Sequence, residues 1–204
     1  MLEPVDEDKP VVLVVDDQTQ IRDIFKNYLT PETEVIEAES TATALAAMDD
    51  DVDMVVLDRN MAGTSGDDFL DEIRADGFET PVAMVTAVFP GLDIVPMEFD
   101  SYLLKPVGRT ELRNTVAAVI RRAAVGDPVR EYFAILSKVV ALESEMQASE
   151  LDENDDYDEL LTEVDDIEDE VADELASMDD GDSAVLVADF SSADDQRIAA
   201  VLPD

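Results

Sequence analysis

Residues 11–18 read VVLVVDDQ. Five apolar residues, four of them β-branched, run without a polar interruption, as a strand buried on both faces does. The run then stops on two carboxylates, Asp16 and Asp17. The same form recurs downstream in DMVVL (53–57) closed by Asp58, PVAMV (81–85) closed by Thr86, and SYLL (101–104) closed by Lys105-Pro106. TEVIEA (33–38) alternates and supplies one further strand. Helical spacing fills the gaps: Ile21, Ile24, Phe25, Tyr28 and Leu29; then Ala44, Leu45 and Met48 behind a cap at Ser40 or Thr41. Phe69, Leu70 and Ile73 follow Gly66-Asp67-Asp68, with Gly77 as the C-cap. Leu112, Val116, Val119 and Ile120 mark a helix over 110–124. Strand–helix alternation of this kind predicts an α/β fold, a parallel sheet with helices on both faces.

In such a sheet, ligands bind beyond the carboxyl ends of the strands. Asp16, Asp17, Asp58, Thr86 and Lys105 are all expected at that edge. Three carboxylates there repel one another unless a cation sits among them, and Mg²⁺ suits because it takes oxygen ligands and bridges carboxylate to phosphate. A metal, a carboxylate nucleophile, a hydroxyl and an ammonium are the parts that bind and transfer a phosphoryl group.

Composition excludes other chemistries. Cysteine and histidine are absent from the 204 residues, which removes disulfides, thiol catalysis, histidine bases and the usual zinc ligand sets. No apolar run approaches the roughly 18 residues of a membrane helix. The acidic start MLEPVDEDKP does not read as a secretory signal, so a cytoplasmic protein is expected. Thirteen basic residues against 52 acidic ones give a net charge of −39. Disorder conflicts with the 46% hydrophobic content, and a nucleic-acid-mimicking surface is a second reading. The even spread of acids, with only four lysines among the basic residues, favours adaptation to high salt, which screens self-repulsion.

Segment 87–100, AVFPGLDIVPMEFD, stands where a full helix is due. Pro90 and Pro96 leave room for a short turn only. The sequence divides into an acidic tail (1–9), an α/β domain (10–125), a helical region (126–180) and an unassigned segment (181–204) that includes a possible strand, AVLVADF. In the helical region, Tyr132, Phe133, Leu136, Val139, Val140 and Leu142 form one stripe. Tyr157, Leu160, Val164, Ile167 and Val171 recur at intervals of 3 and 4, a heptad-like seam for packing within the chain or for a coiled-coil homodimer. Arg121, Arg122, Arg130 and Lys138 read as a solvated helix end with local ion pairs, or as a small nucleic-acid contact.

The motifs VLVVDDQ, VVLDRNMAGTSG, AMVTA and SYLLKP, with DD, D, T and KP at successive strand ends, resemble the receiver domain of bacterial and archaeal response regulators over residues 10–125. The resemblance implies a flavodoxin-like, doubly wound, five-stranded sheet of order 2-1-3-4-5, here with a shortened fourth helix. It implies that Asp58 accepts a phosphoryl group from a phosphohistidine on a partner histidine kinase. Asp17 and Asp58 would ligate Mg²⁺ directly, Asp16 through water, and Asn60 through its backbone carbonyl. Thr86 would bond a phosphoryl oxygen, and Lys105, before a cis bond to Pro106, would pair with the phosphate. Tyr102 would be the switch aromatic that turns inward with Thr86. One departure is Ala62, where the family usually has proline after the methionine. REYFAILSKVVALESE and the acidic helix behind it resemble the HalX domain attached to haloarchaeal receivers.

Two rival functions fit parts of the sequence. A phosphatase-like enzyme shares the aspartyl nucleophile, but DRNMA lacks a second nearby Asp and the chain shows no cap domain. An acidic interaction adaptor would use the C-terminal helix alone. Direct DNA binding by the tail conflicts with the absence of Lys and Arg from 139 to 196.

Overall fold

In a computed structural model, residues 9–63, 65–176 and 185–186 are described. The apolar runs form strands β1 (Val11–Val15), β2 (Glu34–Ala38), β3 (Met54–Leu57), β4 (Val82–Thr86) and β5 (Ser101–Leu104). They make one parallel sheet of order β2-β1-β3-β4-β5. Strand ends move by a residue from the expected bounds. Asp53 lies outside β3 because its carboxylate accepts the Val11 N–H at 2.7 Å. Thr86 lies inside β4, opposite Leu104.

Helices α1 (Thr19–Leu29), α2 (Thr41–Ala47), α3 (Gly66–Ala75) and α4 (Arg109–Val125) flank the sheet. Ser40 caps α2 by accepting the Thr43 N–H at 3.3 Å, and Ser65 caps α3 by accepting the Asp67 N–H at 3.1 Å. Gly77 ends α3 with φ 87°, the left-handed turn that glycine adopts at no steric cost. The Phe78 N–H then reaches back to the Ile73 carbonyl at 2.9 Å. Strand side chains alternate between two apolar layers. Val12, Val14, Met54, Val56, Ala83 and Val85 pack with Phe25, Leu112 and Val116 of α1 and α4. Leu13, Val15, Val55, Leu57, Val82 and Met84 face the layer of Phe69, Leu70 and Ile73 of α3.

After β4 a single 3-10 turn, η1 (Leu92–Ile94), stands between Pro90 and Pro96 in place of a helix. The helical region forms α5 (Asp127–Glu145), α6 (Ala148–Leu151) and α7 (Asp155–Ala176). α5 and α7 run antiparallel: Tyr157 Oη donates to Glu143 at 2.6 Å at one end, and Gly126 adjoins Glu174 at the other. Of the seam residues, Tyr157, Leu160, Val164 and Val171 are buried against α5 within one chain and Ile167 is half-buried, the packing alternative for that stripe.

Two expectations are corrected. Val185 and Leu186, inside the possible strand AVLVADF, are helical, and the rest of that run lies outside the described residues, as do residues 1–8. The basic residues 122, 130 and 138 are not a solvated helix end. Arg122 is buried, with its guanidinium 4.3 Å from the Phe133 ring centroid and its Nε on the Leu186 carbonyl. Arg130 binds Asp100, and Lys138 lies 5.6 Å from the Phe99 ring centroid. Each cation found its partner on another element, which local sequence does not display.

Candidate functional site

Register assembles the site. Val15 pairs with Leu57 across β1 and β3, so Asp16 and Asp58 leave the sheet side by side, and the Asp58 N–H donates to the Val15 carbonyl at 2.8 Å. Thr86 pairs with Leu104, so Lys105 follows at the same edge, with its N–H on the Thr86 carbonyl at 2.8 Å. Lys105 Nζ donates to Asp16 Oδ2 and to Asp58 Oδ2, each at 2.6 Å. Carboxylate oxygens of Asp16, Asp17 and Asp58 all lie within 4.8 Å of one another. The Lys105-Pro106 peptide is cis.

The backbone orients these carboxylates. Asp16 Oδ1 accepts the Gln18 N–H at 2.8 Å, and Asp58 Oδ1 accepts the Asn60 N–H at 3.2 Å. Asp17 Oδ2 accepts the Ala62 N–H at 2.9 Å, a donor that proline at this position would lack. Burial raises the Asp16 pKa above the usual carboxylate value; the bonds from Lys105 and the Gln18 N–H oppose that rise without cancelling it. An all-oxygen set of three carboxylates with one fixed ammonium fits a hard divalent cation such as Mg²⁺ and offers nothing to a soft one.

The remaining expected residues also lie close to this edge. Thr86 is fully buried, and its Oγ1 accepts the Val88 N–H at 3.3 Å. Asn60 is exposed at the rim, in a loop that folds back through a bridge to Ser65. Tyr102 is turned inward, 8% exposed, and its hydroxyl donates to the Val88 carbonyl at 2.8 Å.

Two residues were missed. Gly66 brings α3 against the Asp58 backbone; a Cβ there would sit 2.3 Å from the Asp58 carbonyl oxygen. Its spacing from Asp58 in VVLDRNMAGTSG was the available signal, but it read only as a helix start. Arg59 binds Asp67 of α3 at 2.9 Å and also Asp93 of η1. Burial opposes its charge, but Asp67 and Asp93 more than offset that and hold its pKa above the ordinary value. It is the only cation between Lys26 and Arg74, a signal visible in the sequence.

Comparison with known proteins agrees with this geometry. The family model described as the response regulator receiver domain matches residues 12–117, and the HalX domain model matches 121–190. A candidate transcriptional regulator of Haloferax volcanii is 47% identical over 135 residues, 66% of this chain and 23% of that protein. The transcriptional regulatory protein CpxR of Klebsiella pneumoniae is 37% identical over 116 residues, 55% of this chain and 50% of that protein. The chain thus spans half or less of the length of these relatives. Among solved structures, a response regulator receiver domain protein from Clostridium thermocellum superposes with a TM-score of 0.51 at 27% identity, covering 57% of this chain and 98% of that one. A CheY-like receiver domain protein from Methanospirillum hungatei gives 0.51 at 24% identity, covering 55% and 94%, and shares the fold. The chain belongs to the two-component response regulators, a receiver domain joined to a HalX domain.

Proposed function

We propose that Asp58 accepts a phosphoryl group from a histidine kinase, and that this phosphorylation controls the C-terminal helices. The observation that carries the reading is the Lys105 ammonium, 2.6 Å from both Asp16 and Asp58 inside a three-carboxylate cluster at the sheet's carboxyl edge. An Asp58 oxygen forms the new O–P bond as the N–P bond of the phosphohistidine breaks. The electron pair leaves with the imidazole nitrogen, which takes a proton from solvent. Lys105 and the Thr86 hydroxyl then donate to phosphoryl oxygens, interactions that exist only in the phosphorylated state and so bias a two-state equilibrium. Asp16, Asp17, Asp58 and the Asn60 carbonyl would hold Mg²⁺, whose positive charge would offset that of the carboxylates and of the incoming phosphoryl group.

On this reading the chain is a phosphoacceptor rather than a turnover enzyme, and it works in the cytoplasm. Among the described residues, no helix is long and apolar enough to cross a membrane. Transcriptional output would pass through a partner, because the tail lacks cations from 139 to 196 for releasing DNA counterions. The α7 seam is covered by α5, so a homodimer of the C-terminal helices would have to use their acidic outer faces.

Acetyl phosphate with Mg²⁺ in molar KCl, followed by intact mass, tests the proposal. A gain of one phosphoryl group, lost in Asp58→Asn, is expected. Rapid turnover of phosphate esters would replace it with an enzyme. No adduct would leave the adaptor reading, in which the acidic helices bind a basic partner.

A further inference from the structure

Helices cover the sheet unevenly. α1 and α4 cover one face, whereas α2 and α3 lie on the other and the chain provides only η1 beside them before β5. α5 completes that second face. Tyr132, Phe133, Leu136 and Val139 share one buried layer with Met84, Ile94, Phe99 and Tyr102. Polar contacts fix α5 there. The Tyr102 N–H of β5 donates to Ser137 Oγ at 3.0 Å in a buried setting, and Lys138 Nζ donates to the Val95 carbonyl at 2.9 Å. Arg130 grips Asp100 immediately before β5.

A short hydrogen-bonded path also ends on α5. Thr86 Oγ1 accepts the Val88 N–H at 3.3 Å, the Val88 carbonyl accepts Tyr102 Oη at 2.8 Å, and the Tyr102 N–H meets Ser137. A phosphoryl oxygen on Asp58 would accept the Thr86 hydroxyl proton, and the turn of Oγ1 towards it strains the bond from the Val88 N–H at the head of this path. The path thus runs from the pocket edge to a helix of the HalX domain.

We infer that α5 serves as the receiver's fourth helix, and that Ser137 is the positioning residue through which phosphorylation of Asp58 moves it. The inference rests on Asp58 being the phosphoacceptor. Ser137 is 6% exposed, and its hydroxyl supplies the acceptor for an N–H at the edge of the sheet. Removing it severs the path at its last step and leaves Asp58, Thr86 and Lys105 untouched. One neutral buried hydrogen bond shifts a two-state equilibrium by about fivefold. The helix response should fall accordingly.

The chain contains no cysteine, so Glu72→Cys on α3 and Glu131→Cys on α5, both exposed, take two spin labels without interference. Acetyl phosphate with Mg²⁺ in molar KCl is added to the full chain. The label-to-label distance distribution reads the helix, and intact mass reads Asp58. The doubly labelled protein is expected to shift its distances on phosphorylation. Ser137→Ala should form the same adduct with a response at least about threefold smaller, and Ser137→Thr, which keeps the hydroxyl, should restore it. Tyr102→Phe, which cuts the path one step earlier, should also reduce it. A Ser137→Ala response equal to that of the parent overturns the inference, as does an adduct that leaves the α5 distance unmoved. Absence of any adduct in the parent removes the phosphoacceptor reading, and this inference falls with it.

Discussion

Asp100→Asn tests how the two domains are held together. Asp100 is 5% exposed and stands where the chain enters β5. Its Oδ2 accepts the Val82 N–H at 2.8 Å, while Arg130 of α5 donates through Nε to Oδ1 at 2.5 Å and through a second nitrogen to Oδ2 at 3.2 Å. The amide can still accept from Val82, so the loss falls mainly on the pair with Arg130, with a smaller part on Arg74, whose guanidinium lies 4.0 Å from Oδ2. Removing one partner of a buried ion pair costs about 3–5 kcal/mol. Arg130 remains 24% exposed and can partly rehydrate, so about 2–3 kcal/mol is expected here. The chain has no tryptophan, so urea unfolding in 2–3 M KCl (about a 2 Å Debye length) is best followed by far-ultraviolet circular dichroism. Salt at that level screens exposed pairs and should leave this buried one nearly intact. Arg130→Met should cost less in the Asp100→Asn background than alone, a coupling of about 1–2 kcal/mol. A loss below about 0.5 kcal/mol, or equal Arg130→Met costs in both backgrounds, would refute the clamp.

Two further outcomes are expected. Gly66→Ala places a Cβ 2.3 Å from the Asp58 carbonyl oxygen, so it should destabilise the chain by about 1–3 kcal/mol and slow phosphorylation of Asp58, read from urea midpoints and the time course of the mass adduct. Burial lowers the Lys138 pKa below its usual 10.5, so the charged form costs stability below the folded value, and that cost fades as pH rises to 10.5; Lys138→Met, which also forfeits the bond to the Val95 carbonyl, should therefore compare more favourably with the wild type at pH 7 than above pH 10.5, read by urea midpoints.

The strands and the edge that carries the pocket were legible in the sequence because their signals are local, whereas the sheet order came from the resemblance to receiver domains. VVLVV, MVVL and VAMVT are short, β-branched apolar runs of the kind a doubly covered strand has, and a parallel sheet brings the residue after each run to one edge. The missing helix was legible for the same reason, since Pro90 and Pro96 act on their own neighbours. What covers the gap was not. Ser137 is one hydroxyl on a helix, and its meaning depends on a strand 35 residues away. Asp100 was hidden by numbers: among 52 acidic residues, nothing in the sequence distinguishes the one that accepts both a strand N–H and a guanidinium. Arg122, Arg130 and Lys138 were misread because adjacency suggested a shared solvated patch, whereas each is used singly against another element.

The placement of these cations follows from the charge itself. With a net charge of −39, a cation on the surface has many diffuse neighbours, and high salt screens them all. A cation withdrawn from water is screened much less. Arg22 is 7% exposed and donates to the Asp16 carbonyl at 2.6 Å; Lys105 holds the pocket; Arg59 ties β3's loop to α3 and η1. Arg122, Arg130 and Lys138 fix the HalX helix. These six sit at joints between elements, where salt weakens them far less than it does exposed pairs, while the acids are spread over the exterior. Charge reversal at a joint should therefore damage the fold at every salt concentration, whereas neutralising several exposed acids of α7 should matter mainly at low salt.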